Sequence, residues 1–265
     1  MNITEWLNLI FRWIHVVAAI LWVGSTFYFT WLDGRMRRLE AGQERSGVWM
    51  VHSGGFYTVV KQTSLGVAPD QVHWFRWEAM VTFLSGFALM TVVYYHGGLM
   101  VDPIEPAVSP VVASAIGVGT LFFGWPVYDL LARSPLAKHT AVFGAIGLAV
   151  IVAIAAGLSA VLSTRATYIH IGGLFGVIMV NNVWMRILPP QRRMIAAGVR
   201  GEPFDPAAAA GAKRRSMHNT FLAIPTVLVM ISNHYPTATY GNRYAIPILA
   251  ALILVGWAAA AWLRR

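Results

Sequence analysis

The chain has 265 residues, 57% of them hydrophobic and only 12% charged, with a mean hydropathy of +0.59. Ordinary soluble domains are about 45–50% apolar and about 25% charged, so this composition excludes a soluble domain and predicts a single integral membrane domain over residues 1–265. The net charge of +9 reports topology rather than nucleic acid, and the absence of cysteine excludes disulfides, thiolate metal sites, iron–sulfur clusters and a covalent CxxCH haem.

A membrane-crossing helix needs roughly 20 mainly apolar residues. By that rule the chain predicts an all-α polytopic bundle of about seven transmembrane helices, at 7–31, 74–95, 111–131, 140–162, 167–188, 218–235 and 246–263. No cleavable signal is expected, because the first apolar run is a full span. Two longer interruptions, 32–73 and 189–217, read as cytoplasmic loops. The first holds a short apolar piece, Gly54 to Val60, expected to be interfacial or re-entrant. The second opens on Pro189-Pro190 and closes on Lys213-Arg214-Arg215, with at most a surface helix between. Pro126 and Pro225 predict kinks. Asn181 and Asn182 read as hydrogen-bonders between helices. The aliphatic fourth span is expected to face lipid.

Charge sets the orientation. Arg35, Arg37, Arg38, Arg133, Lys138, Arg192, Arg193, Lys213, Arg214 and Arg215 all fall in or beside loops on one side, whereas the opposite loops hold only Arg165 and Arg243. The positive-inside rule then puts the N-terminus outside and the C-terminus inside.

With that topology the eight histidines divide by depth. His15, His96, His170 and His234 belong to the outer half; His52, His73, His139 and His218 belong to the inner half. Facing imidazoles in a helical bundle can hold haem b, one or two groups here, and a chain without cysteine would have to hold it that way. Histidines at span ends also serve as interfacial residues bonded to water or backbone, and that reading stands beside the haem one for His96, His139 and His234. His15 lies inside its span between Trp13 and Trp22, and a polar group at that depth needs a partner. His170 is its expected opposite number, since Gly172, Gly173 and Gly176 leave room for a flat macrocycle or for close helix packing.

The inner half carries richer chemistry. His73-Trp74-Phe75-Arg76-Trp77-Glu78 places a carboxylate, a base, a cation and aromatic rings together. That set suits a flat anionic heteroaromatic substrate or a quinone head, and equally an aromatic belt with Arg76 reaching to the interface.

Five strings then carry a resemblance: WIHVVAAILWVGSTFYF (13–29), HSGGFY (52–57), HWFRWEAMVTFLSGF (73–87), IHIGGLFGVIMVNNVW (169–184) and HNTFLAIPTVLVMISNHYP (218–236). Together they resemble the membrane domain of the PuuD-type urate hydroxylases of bacterial inner membranes, which oxidise urate to 5-hydroxyisourate and pass electrons to a C-terminal cytochrome c domain. The opening block more loosely resembles the HemJ-type protoporphyrinogen oxidases, whose first-helix histidine would map onto His15. The resemblance implies a multi-pass protein of the bacterial inner membrane. It implies catalytic roles for His52, His73, Glu78 and His218, and substrate contacts from Tyr57, Lys61, Trp74, Arg76, Trp77 and Asn219. Haem b would lie on His15 and His170 as iron ligands, with His96 and His234 as further cofactor-binding candidates. The chain ends at Arg265 without the cytochrome domain, so electrons are expected to pass to a separate cytochrome c or to quinone. The alternative is a haem b anchor that docks a soluble dehydrogenase subunit and relays its electrons to quinone. A transporter is disfavoured, because no pair of broken half-helices recurs in two halves of the sequence.

Overall fold

Helix α1 (Ile3–Ala41) keeps one apolar stripe against α2 (Trp77–Tyr95) and leaves Trp13, Ile20 and Leu21 exposed on the other side. Apolar residues facing outward around a helix are what lipid contact selects. The computed structural model describes residues 2–41, 47–61, 72–203 and 205–264. Five further helices follow: α3 (Pro110–Arg133), α4 (Thr140–Ser159), α5 (Thr164–Val199), α6 (Pro206–Ile231) and α7 (Ala245–Leu263). Six of the seven are long and apolar enough to cross a membrane. α6 stands apart because the apolar stretch of its sequence starts only after Lys213, Arg214 and Arg215. The protein is thus a multi-pass, all-α membrane bundle.

α5 is the hub. It packs on α2, α3, α4 and α6, and Tyr168, Ile171 and Phe175 are wholly enclosed by them. The contacts sort the helix ends into two sets. At one end Arg165 of α5 and Tyr94 of α2 both donate to Asn233 just past α6, at 3.0 and 3.2 Å. At the other, Asp33 of α1 meets Lys213 of α6 at 3.3 Å, and Arg264 lies over Phe221. The second set carries the basic loops, so the alternation that the charge pattern demands is the alternation of the fold.

The two expected loops are largely structured. α1 continues to Ala41, and residues 48–59 form an antiparallel hairpin, Val48–His52 (β1) with Gly55–Val59 (β2). Ser53 and Gly54 at its tip both take positive φ, as a two-residue hairpin with right-handed strand twist requires. Val48, Met50 and Val59 seat the hairpin on Leu32 and Met36 of α1. Residues 42–46 and 62–71 of the expected 32–73 loop lie outside the described residues.

Among the described residues of the 189–217 stretch, only 200–203 and 205 lie outside helices. α5 runs through Pro189-Pro190 because the turns just before them, Asn182–Ile187, are π-helical. The two prolines therefore fall in the first turn of a fresh α-helical segment, where a missing N–H costs little. A π turn inside an α-helix is frequent at functional sites, and this one aims Asn182, Trp184 and Arg186 at three different neighbours.

Two glycines fix the places of the intramembrane histidines. A Cβ on Gly86 would come within 2.8 Å of the His15 ring, and one on Gly117 would collide with Nε2 of His170. Gly117→Ala should therefore displace His170 and destabilise the fold by about 1–3 kcal/mol, as overpacking does. A thermal midpoint in detergent that is unchanged from the parent would contradict that close approach.

Candidate functional site

The sequence-predicted residues resolve into three places at the basic end and two sites deeper in the bundle, with His96 and His234 beyond the helix ends on the opposite side. At the start of α2 the backbone turns sharply at Trp74–Arg76, which sends Arg76 toward α5 and Glu78 toward α1. The Arg76 guanidinium lies 5.6 Å from the Trp77 ring and 6.0 Å from that of Trp184, and the two indoles meet edge to face at 6.0 Å. Trp74 is covered by Arg192 of α5 at 5.9 Å. On the other side of Trp77, Glu78 has one carboxylate oxygen 3.6 Å from Nε2 of His73, a distance for charge attraction and too long for a hydrogen bond. Glu78 and Trp77 also line a shallow groove of about 400 Å³ with Trp13, Ile14 and Val17 of α1.

Several of the buried polar atoms that lack a partner gather at this corner, others lying on Trp125, Thr167, Asn182, Arg215 and Trp257. Arg76 Nε, the second oxygen of Glu78 and Trp184 Nε1 are all buried without a hydrogen-bond partner. Native proteins pair nearly all such atoms. Two donors on the α5 side of Trp77 and one acceptor on its α1 side flank indoles that meet edge to face, and each can pair with the carbonyls and N–H groups of a planar heterocycle.

His52 and Tyr57 sit exposed on the hairpin instead of joining that corner. Lys61 is engaged elsewhere: with Lys213 it holds Asp33, at 3.2 and 3.3 Å, and so ties the segment after the hairpin to α1 and α6.

His218 and Asn219 belong to a second constellation between α3, α5 and α6. Asn219 donates to the Met179 carbonyl at 3.0 Å, so its oxygen faces Asn182, which donates to it at 2.9 Å. The same Asn182 nitrogen donates to the Tyr128 hydroxyl at 3.0 Å, and that hydroxyl lies 2.7 Å from Nδ1 of His218. Asn182, fully enclosed, spends both its N–H groups this way. Beneath lies a buried ion cluster: Asp129 of α3 accepts from Arg186 of α5 at 2.9 Å and from Arg215 of α6 at 2.6 Å. Above, His218 stacks on Phe143 at 4.9 Å and lines an apolar cavity of about 560 Å³ between α3 and α4.

The outer histidines do not meet. Nδ1 of His15 lies 2.9 Å from the Thr82 carbonyl and 3.3 Å from the Ser85 hydroxyl, between α1 and α2. His170 is 0% exposed; its Nδ1 bonds the Ala166 carbonyl at 2.7 Å and its Nε2 the Tyr95 hydroxyl at 3.1 Å. Gly86 and Tyr95, their markers on α2, are nine residues apart, roughly 13 Å along a helix. His96 and His234 are exposed beyond the helix ends, as is His139 at the basic end. Haem b on a His15–His170 axis therefore does not fit these residues: both nitrogens of His170 are taken, and the α3 backbone at Gly117 occupies the side a macrocycle would need. Among the described residues no group of three or more His, Asp or Glu side chains is placed to hold a metal ion.

Comparison with known proteins adds the decisive observation: the family model described as urate oxidase N-terminal matches residues 1–265, the whole chain. The chain belongs to the urate oxidase N-terminal family. No curated protein and no solved structure matches it. The family resemblance seen in the five sequence blocks is thus shown, and three of those blocks supply the two inner constellations: 73–87 and 169–184 build the α2 corner, 169–184 and 218–236 the α5–α6 relay. Sequence reading missed Trp184, Tyr128, Asp129, Arg186 and Arg215 as site residues. One signal was available: Asp129 is a carboxylate in the last turns of an apolar span, and such residues are rare unless paired or functional.

Proposed function

We propose that this chain is a membrane oxidoreductase that binds urate, or a closely related purine, at the basic end of α2 and oxidises it, giving its electrons to a separate acceptor. The observation that carries the reading is the set of partnerless buried atoms on Arg76, Glu78 and Trp184, in a chain whose whole length matches the family. Arg76 and Trp184 offer N–H donors to the oxygens of the ring, and the indoles offer faces. Glu78 offers an oxygen to a ring N–H and can take its proton as electrons leave. The overall change balances as urate plus water giving 5-hydroxyisourate, two electrons and two protons.

The test is equilibrium dialysis of labelled urate against the purified protein in detergent. Arg76→Gln should weaken binding at least about ten-fold, the scale of a lost hydrogen bond to a charged partner. Equal affinity in the variant would remove Arg76 from the site. Co-purification of a soluble flavin or molybdenum subunit, with no urate bound by the membrane chain alone, would favour the anchor reading instead.

A further inference from the structure

The cavity between α3 and α4 is apolar along nearly its whole wall, with Ile116, Leu174 and Ile151 among its residues, and polar at one end, where His218 and Tyr128 stand. Its mouth is on the membrane face. α3 and α4, although consecutive, barely touch each other, and Phe123 and Val127, which line the cavity, are also exposed on the bundle's outer surface. A molecule dissolved in the lipid can enter there without crossing water.

The hydrogen-bond chain fixes what the polar end presents. The Met179 carbonyl orients Asn219, Asn219 orients Asn182, and Asn182 donates to the Tyr128 oxygen. The hydroxyl proton of Tyr128 is thereby left for Nδ1 of His218. Neutral His218 then carries its own proton on Nε2, the ring nitrogen with no protein partner among the described residues. An Nε2–H donates to a carbonyl oxygen; it cannot ligate iron.

We infer that this cavity is the electron-acceptor site for a lipid-soluble quinone, its tail among the aliphatic side chains and one carbonyl on Nε2–H of His218. The inference rests on the purine reading above, from which the electrons come. The two sites adjoin through a single π turn: Asn182 orients the relay to His218, and Trp184, two residues on, faces Arg76. The chemistry closes without another reactant. The quinone takes the two electrons and two protons that the purine releases and becomes the quinol. His218 hands one proton from Nε2 to a quinone oxygen as Tyr128 gives its hydroxyl proton to Nδ1; of the two protons released by the purine and water, one restores Tyr128 and the other reaches the second quinone oxygen.

Two variants separate a binding role from a structural one. Gly147 of α4 lines the cavity, and a Cβ there would meet no atom within 4 Å. Gly147→Leu therefore fills the space while replacing glycine with a better helix former, so the protein should fold. His218→Phe removes the donor. Binding of a labelled benzoquinone with a ten-carbon tail to the purified protein should fall about ten-fold or more in each, and urate-dependent reduction of that quinone should fall with it. Labelled urate should still bind both variants. Quinone binding that survives both changes, or none in the parent, overturns the inference. So does a b-type haem spectrum in the parent that His218→Phe abolishes. A parent that binds quinone but not urate would fail the purine reading alone, because the quinone measurement uses no urate.

Discussion

Glu78→Gln is expected to lower kcat/KM for urate oxidation by about 10²–10⁴-fold, the usual contribution of a positioned general base, while making the protein no less stable. The two halves of that expectation come from one fact. The second oxygen of Glu78 is buried and unpartnered, so the side chain contributes nothing to the fold through it and carries a desolvation cost. Glutamine keeps the shape and removes the charge. A residue whose replacement leaves the melting point level or raised while activity collapses is one kept for chemistry. The loss should appear chiefly in kcat, because a base acts as the proton leaves, whereas Arg76→Gln should appear chiefly in KM. Glu78→Asp, with a carboxylate one methylene shorter, should recover part of the rate. His73, with 69% of its side chain exposed, meets Glu78 only at 3.6 Å across a solvent-screened contact, and its removal should cost far less. Turnover of Glu78→Gln near the parent rate would take the carboxylate out of the mechanism.

How much of this was legible beforehand follows the physics of each feature. Six of the seven expected spans are helices long and apolar enough to cross a membrane; apolar run length is a one-dimensional property, so their order could be read from the sequence. So could the sidedness of the basic loops, which the contacts at the two bundle ends reproduce. His73, Arg76, Trp77 and Glu78 are close in sequence, and their corner could be read as a unit. Trp184 could not, because its meeting with Arg76 depends on the rotation of α5, which the π turn at Asn182–Ile187 resets. Pro189-Pro190 read as a stop for the same reason: a proline pair ends an α-helix unless the preceding turn has already released its hydrogen bonds. The pairing of His15 with His170 failed as a facing pair because depth in the membrane says nothing about which neighbour a side chain meets. His15 finds α2 and His170 finds α2, α3 and its own helix. The aliphatic α4, read as lipid-facing, does present most of its surface outward, yet one side of it walls the cavity through Gly144, Gly147 and Ile151.

Asp129→Ala should be the most destabilising of the substitutions considered, by about 3–5 kcal/mol. Asp129 is 4% exposed and sits between the guanidinium groups of Arg186 and Arg215, with Arg133 one turn along α3 at 3.8 Å. It is the anion that lets α3, α5 and α6 bring cations together at the basic end of the bundle. Arg215 is itself only 4% exposed and already has one nitrogen, Nη1, without a partner. Without the carboxylate it becomes a buried, uncompensated charge packed on the Tyr128 ring at 5.1 Å. Arg186, with about a third of its side chain exposed, can turn toward water, and Arg215 cannot. The asymmetry makes a sharp expectation for the double variant. Asp129→Ala alone should lower the unfolding midpoint in detergent by about 10 °C, and adding Arg215→Met should restore most of it, because a buried ion pair replaced by apolar side chains is close to neutral. Tyr128 keeps its bonds to Asn182 and His218 in the double variant, so quinone binding should return with stability. A double variant no more stable than Asp129→Ala would mean that the carboxylate acts through Arg186 instead, and that α3 is clamped to α5 rather than to α6.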